Sequence, residues 1–414
     1  MCTRSLTSDR GRAEIQFSMP NSSPTDKPFI LRPALLLAMV LFFNFAARVV
    51  FSPILPMIEQ ELLLSHAQTG TFFLLITFGY TVAILLSGFL AARIQHHRVI
   101  IVSIAVAGAA LLLISVSHTL LQIRLGLVLL GMGAGLYSPS GIATLTQSVS
   151  RRHWGKAIAI HDLGPNLALI VAPAAATLFI GGAGWRALLT TIGALCLLTA
   201  GAFALFSRQG RFAGQPPHLG NIRAILSQRV FWVVTLYFAI GVAGVLGIFA
   251  VVPTYLVSER GMPHEYANML VSVSRLTVLP VIFLAGWLRD RLGERRLIGG
   301  VAFVTGMLTL ALGLAPTRYL PAVVILQPTV LAALFPAAFS AIAAIGPPET
   351  RNVAVSLMVP GCYILGGGVF PAVMGVLGDQ GRFFIGFAVV GTIALLSLLF
   401  LPLLTLPSMS EESL

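Results

Sequence analysis

The chain has 414 residues, of which 57% are hydrophobic and only 10% charged. A soluble domain carries about 25% charged residues, so this composition excludes an ordinary soluble enzyme and points to membrane spans. The net charge of +12 comes from arginines and lysines scattered in short connections between apolar runs, which excludes a nucleic-acid face and leaves topology as their use.

The first 28 residues are polar and lack an apolar core of signal-peptide length, so they read as a disordered cytoplasmic tail, with Met19 as an alternative start. About 20 apolar residues cross the hydrocarbon as helix. Such windows fall near 34–57, 68–90, 99–117, 120–147, 156–180 and 186–206. A polar linker, 207–229, follows. Six more windows lie near 230–257, 266–288, 297–315, 320–345, 352–377 and 383–405, before a short tail, 406–414. The domains expected are therefore bundles over 29–206 and 230–405. Helices are expected because an open sheet cannot satisfy its backbone in lipid.

Basic residues concentrate in the N-terminal tail and the even-numbered connections, including Arg93, Arg98, Arg151, Arg152, Arg208 and Arg289. The opposite loops hold only Arg186, Arg260, Arg318 and Arg382. The positive-inside rule then places both termini and the linker in the cytoplasm, with the chain in a cytoplasmic (inner) membrane.

Two loops repeat. GFLAARIQHHR begins at Gly88 and GWLRDRLGERR at Gly286, an offset of 198 residues. GWR at Gly184 and QGR at Gln380 pair at an offset of 196. Six spans duplicated in one orientation are expected to enclose a binding site near the midplane.

These residues resemble the major facilitator superfamily, whose loop between spans two and three is close to G-x-L-x-D-R-x-G-x-R-R. Gly286, Leu288, Asp290, Arg291, Gly293, Arg295 and Arg296 match it, whereas the first copy keeps Gly88, Leu90, Arg93 and Arg98 but has Ala92 and Gln95. SPILP at Ser52–Pro56, HAQTG before the second span, Arg124 ahead of GMGAG, and GWR are further echoes. The resemblance implies an all-α secondary transporter of twelve transmembrane helices in two parallel six-helix repeats. It also implies a cytoplasmic gate at Gly88, Arg93, Gly286, Asp290, Arg291 and Arg295. There Asp290 would meet a helix start in the other half, with Arg151 or Arg152, and Ala92 could not.

Few ionisable residues fall inside the spans: Arg48, Arg124, His161, Asp162 and Arg275. A mid-helix arginine costs about 2.5–3.5 kcal/mol, so it needs a partner or a watery cavity. Arg48 and Arg275 each lie about 20 Å from the cytoplasmic side at 1.5 Å per residue, one in each half. They are expected to face a central cavity and bind a carboxylate or phosphate, or else each pairs within its own half. An arginine in the first span also resembles the organophosphate:phosphate antiporters and the anion:cation symporters of the superfamily. Arg124 lies near a span end and reads as snorkelling.

Asp162 and its neighbour His161 are the groups that could carry a proton, or Asp162 is the fixed half of an ion pair. Asn44, Ser52, Thr77, Tyr80, Tyr137, Tyr237, Gln327 and Tyr363 are the uncharged candidates for substrate contacts. The chain has no phosphate-binding loop, no zinc spacing and no nucleophile motif, so no enzyme, cofactor or metal is expected. The function expected is symport of a small organic anion across the bilayer, coupled to protons. The alternatives are a proton-driven exporter of neutral or cationic compounds and a non-transporting sensor on a transporter fold.

Overall fold

A computed structural model describes residues 31–214, 222–341 and 348–404, and among these every regular element is helical. The first set of helices is α1 (Leu31–Val49), α2 (Phe51–Leu62), α3 (His66–Ser115), α4 (Leu120–Ser148), α5 (Trp154–Ile180) and α6 (Gly184–Phe206). After the short α7 (Ile222–Leu226), the second set runs α8 (Arg229–Val242), α9 (Ile248–Ser258), α10 (His264–Leu276), α11 (Val278–Leu292) and α12 (Glu294–Leu314). It ends with α13 (Leu320–Leu331), α14 (Leu334–Ala341), α15 (Pro348–Cys362), α16 (Phe370–Gly378) and α17 (Phe383–Leu396). Nine helical stretches among the described residues are long and apolar enough to cross a membrane.

Local chemistry sets the breaks. Ser65 and Thr119 each open a helix with a reciprocal capping box closed by Gln68 and Gln122, which satisfies backbone donors that have no helical partner. The fifty-residue α3 is bent at Gln95, whose φ of 71° and ψ of 154° interrupt the helix, so it is two helices joined by a tight corner. Residues after α6 fold back over that corner. His96 and His97 donate backbone N–H to the carbonyls of Phe212 and Gly210, and Gly214 N–H donates to Ala91. The His97 Nδ1 and the Gln209 carbonyl are 2.9 Å apart.

Two π-helical turns, Ala243–Gly247 and Tyr363–Val369, interrupt otherwise long helices. They are glycine-rich for a packing reason. A Cβ on Gly247 would sit 2.3 Å from the Gly366 carbonyl, and one on Gly366 would sit 2.6 Å from the Ala243 nitrogen. Such turns are frequent at functional sites.

The apolar core shows how the two sets meet. One buried cluster is continuous from α1–α6 into the Ile248–Val271 region and Phe383–Phe387, at the end of the molecule remote from the two arginine-rich loops (the far end). A separate cluster, from Ile225 to Leu404, holds the other end of the second set. The sets are therefore fused at the far end.

Candidate substrate site

Between the sets lies a cavity of about 450 Å³, walled by Phe45 on α1, by Asp162, Pro165 and Asn166 on α5, by Val245, by Arg275 and Val278, and by Phe335 and Tyr363. Its size suits a small molecule. Most of the wall is apolar, and Asp162, Asn166, Arg275 and Tyr363 supply the polar groups.

Arg275 occupies the last turn of α10 and is 6% exposed. Its Nη2 donates to the Val245 carbonyl at 3.1 Å, in the middle of the first π-turn, and its guanidinium lies over the Phe249 ring at 4.9 Å. Its Nε is buried without a hydrogen-bond partner among the described residues, as is Gln327 Nε2. Gln327 and Arg275 line the same narrow cleft beside the main cavity.

Arg48 is one layer further back. It lies over the rings of Phe45 at 4.7 Å and Tyr80 at 4.5 Å, and its Nε is also unsatisfied among the described residues. Tyr80 in turn stacks on Tyr363 at 5.6 Å, across the boundary between the two sets, and its hydroxyl is 2.7 Å from that of Ser138. No carboxylate among the described residues lies within ion-pair distance of Arg48 or Arg275. Pairing within the same half, with a backbone carbonyl or an acid, was the alternative weighed for both arginines: Arg275 does donate to the Val245 carbonyl of its own set, and neither arginine has an acid partner among the described residues.

On the opposite wall, Asp162 has a side chain 61% exposed, and its Oδ1 is 3.2 Å from Nδ1 of the buried His161. The other ring nitrogen of His161 is 2.9 Å from the Tyr137 hydroxyl. Asp162 is thus tied to His161 rather than to an arginine.

Several candidates stand elsewhere. Tyr237 donates to the Ser397 carbonyl inside the second core, because its ring is fully packed there. Asn44 donates to Ser103 and to the Ala134 carbonyl, and Thr77 donates to the Phe73 carbonyl one turn back. Ser52 donates to the Phe249 carbonyl of the other set. These hydroxyls and amides are occupied by protein partners and do not line the cavity in this conformation.

The far end is closed by contacts that sequence reasoning missed. Both carboxylate oxygens of Asp379, just past α16, accept from the first backbone N–H groups of α3, His66 at 2.7 Å and Ala67 at 3.1 Å. Asn268 donates to Pro53, and Ser272 to Ile170. Glu59 accepts from Thr69 and lies 3.0 Å from His66 Nδ1. An acid set against a helix start of the other set was expected from Asp290, at the opposite end. The side chains of Asp290 and Arg151 lie outside the described residues. Of the other gate residues, Arg93 and Arg295 are exposed, Gly88 and Gly286 are half-buried within helices, and Arg291 stacks on Trp287 at 4.4 Å.

Known proteins share this fold. The Probable sulfoacetate transporter SauU of Cupriavidus necator is 24% identical over 91% of this chain and 95% of its own length. A bacterial homolog of the human lysosomal transporter Spinster, solved in an inward-facing and occupied conformation, superposes with a TM-score of 0.70 at 18% identity. That match covers 91% of this chain and 96% of the other. The nucleoside transporter NupG matches with a TM-score of 0.74 at 14% identity, covering 90% of this chain and 100% of its own. The family model for the Major Facilitator Superfamily matches residues 37–326 and 247–413. With that match spanning most of its length, the chain belongs to the Major Facilitator Superfamily of multi-pass membrane transporters.

Proposed function

We propose that this transporter carries a small organic anion, a carboxylate, sulfonate or phosphate ester, by alternating access. The carrying observation is Arg275: a buried guanidinium on the cavity wall with an open donor and no carboxylate partner among the described residues. A buried charge of that kind is costly unless something neutralises it, and a planar fork of donors suits an oxyanion. Arg48 adds a second positive charge behind Phe45 and Tyr80. The sulfoacetate named for the relative from C. necator is itself an organic anion, which agrees with this reading.

In the same reading the chain has twelve spans, 29–206 and 230–405 form the two halves, and both termini face the cytoplasm of an inner membrane. The far end is then periplasmic and the conformation is inward-facing. Asp162 and His161 exchange the coupling proton.

The test is a thermal-shift screen of detergent-purified protein against sulfonates including sulfoacetate, dicarboxylates, phosphate esters, sugars and amphipathic cations. A ligand at 100 times its Kd adds about 2.7 kcal/mol. Stabilisation by anions in the wild type, lost in Arg275→Gln, upholds the reading. Stabilisation by cations alone, retained in Arg275→Gln and lost in Asp162→Asn, replaces it with the exporter.

A further inference from the structure

We propose that Tyr137, His161 and Asp162 form one proton-binding unit in which the Tyr137 hydroxyl reports the protonation state to α1. The proposal deepens the proton-coupling part of the reading above and rests on it only for its role in transport.

The number of hydrogens available fixes the protonation state in which all the contacts form. The Tyr137 hydroxyl lies 2.8 Å from the Leu37 carbonyl and 2.9 Å from His161 Nε2, and His161 Nδ1 lies 3.2 Å from Asp162 Oδ1. Three contacts need three hydrogens. Tyr137 has one, and a neutral imidazole has one. The carbonyl and the carboxylate can only accept. All three bonds form together only when one extra proton resides on the His161–Asp162 pair. Tyr137 then donates to Leu37, the Nε2–H donates to the Tyr137 oxygen, and the extra proton lies between Nδ1 and the carboxylate.

Removing that proton forces a rearrangement. The remaining imidazole hydrogen stays at Nδ1, facing the carboxylate, because an ionised Asp162 has none to offer. Nε2 is left as a bare acceptor against the Tyr137 oxygen, and both groups are buried. The hydroxyl hydrogen must turn from Leu37 to Nε2, since two lone pairs facing each other without water is the costlier arrangement. Proton loss at the cavity wall therefore releases a tie between α4 and α1.

The surroundings make this contact consequential. Tyr137 and His161 have parallel rings, 10° apart at 5.9 Å, and the buried hydroxyl contacts the Leu37 carbonyl and His161 Nε2. α5 lies tightly on α1 at this level, where a Cβ on Gly164 would come within 2.8 Å of the Ala38 carbonyl. Leu37 precedes Arg48 by three helical turns on the same face of α1. The charged and titratable groups around the pair are Tyr137 from α4, with Arg275 from α10 and Tyr363 on the same cavity wall, and Arg48 of α1 lies behind Phe45 and Tyr80. Glu59 of α2 and Arg186 of α6 lie at the far end. Tyr137 is thus a positioning residue, and the proton site is the His161–Asp162 pair.

Infrared difference spectroscopy between a low-pH and a high-pH state of the detergent-purified protein, without substrate, reads this directly. A tyrosine C–O band should shift with pH in the wild type, and the shift should be lost in both Tyr137→Phe and His161→Gln. Arg275→Gln should keep it while losing anion stabilisation, which separates this site from the anion site. Absence of a tyrosine shift in the wild type overturns the proposal without any variant. A shift that survives His161→Gln overturns it as well.

Discussion

Gln95 and Gly293 have the same backbone conformation: φ 71° and ψ 154° at Gln95, φ 78° and ψ 152° at Gly293. They lie 198 residues apart, the offset that separates the two arginine-rich loops. The corner between helices therefore has the same geometry in both copies, with glutamine in one where the other has glycine. That region of backbone space is essentially reserved for glycine, and a side chain there costs about 1–3 kcal/mol. The strap from Ser207 to Gly214, hydrogen-bonded across Ala91, His96 and His97, is the local structure that holds the strained corner.

Gln95→Gly should accordingly stabilise the protein. The gain is about 1 kcal/mol once the greater freedom of glycine in the unfolded chain is subtracted. Gly293→Ala should destabilise, by about 1–3 kcal/mol, for the strain alone, since no atom lies near a Cβ built at that position. Thermal unfolding of the two variants in the same detergent checks both signs. A Gln95→Gly variant less stable than the wild type would show that the side chain, exposed as it is, makes a contact worth more than the strain.

Asp379 closes the far end by accepting from the start of α3, where the helix dipole favours an acid. Asp379→Ala removes two charge-assisted bonds between the sets and should shift the population toward a far-end-open form. Gln60 and His264 approach to 3.5 Å across the same seam, so a Gln60→Cys/His264→Cys pair reports closure through its cross-linking rate. The rate should fall several-fold with Asp379→Ala in a background lacking the native cysteines. An unchanged rate would assign closure to Asn268, Ser272 and the apolar core instead.

How much of this was legible in the sequence follows from what composition and periodicity can see. Apolar windows and the repeated loop carried the fold class, because lipid imposes a length and a polarity on each span. Arg275 and Tyr363 were readable as candidates for the cavity wall, and Asp162 as a proton carrier or ion-pair partner, because an ionisable or polar group in hydrocarbon needs a reason. Tyr237 and Asn44 looked equivalent by that criterion, but a neutral donor can be satisfied by a single carbonyl, and both are. Asp379 and Glu59 were passed over because acids at span ends are cheap and carry no signal. Their role comes from an approach between α16 and α3 that no local pattern encodes. The π-turns appear in the sequence only as glycine runs, Gly241–Gly247 and Gly366–Gly368, and glycines give no sign of the carbonyl that one of these turns offers to Arg275.

Tyr80 joins three features: the Arg48 guanidinium over its ring, Ser138 at its hydroxyl, and Tyr363 stacked on it from the other set. Tyr80→Leu removes the cation–π contact and the stack together. Together they are worth about 1–3 kcal/mol, and because they hold Arg48 and Tyr363 in place at the site, anion affinity should fall between about fivefold and a hundredfold. Tyr80→Phe keeps both rings and should cost far less. Measuring Kd by titration of the stabilising anion found in the screen separates the two. Equal losses in both variants would move the effect from the ring faces to the Ser138 hydrogen bond.

Closure of the far end also requires close backbone approach. A Cβ on Gly375 would come within 2.1 Å of the His66 carbonyl, and one on Gly70 within 2.7 Å of the Pro371 carbonyl. Backbone cannot yield as a flexible side chain would, so Gly375→Val should hold α16 and α3 apart. The packing within α1–α6 and the separate Ile225–Leu404 cluster lie away from this seam, so the variant should fold, remain monodisperse in detergent and still fail to close. Substrate could then bind only from the far side, and transport should be lost rather than slowed. The same cysteine pair should cross-link poorly, and Gly361→Val serves as the control because nothing lies near a Cβ at Gly361. Normal cross-linking in Gly375→Val would mean that α16 can slide along α3 and close in another register.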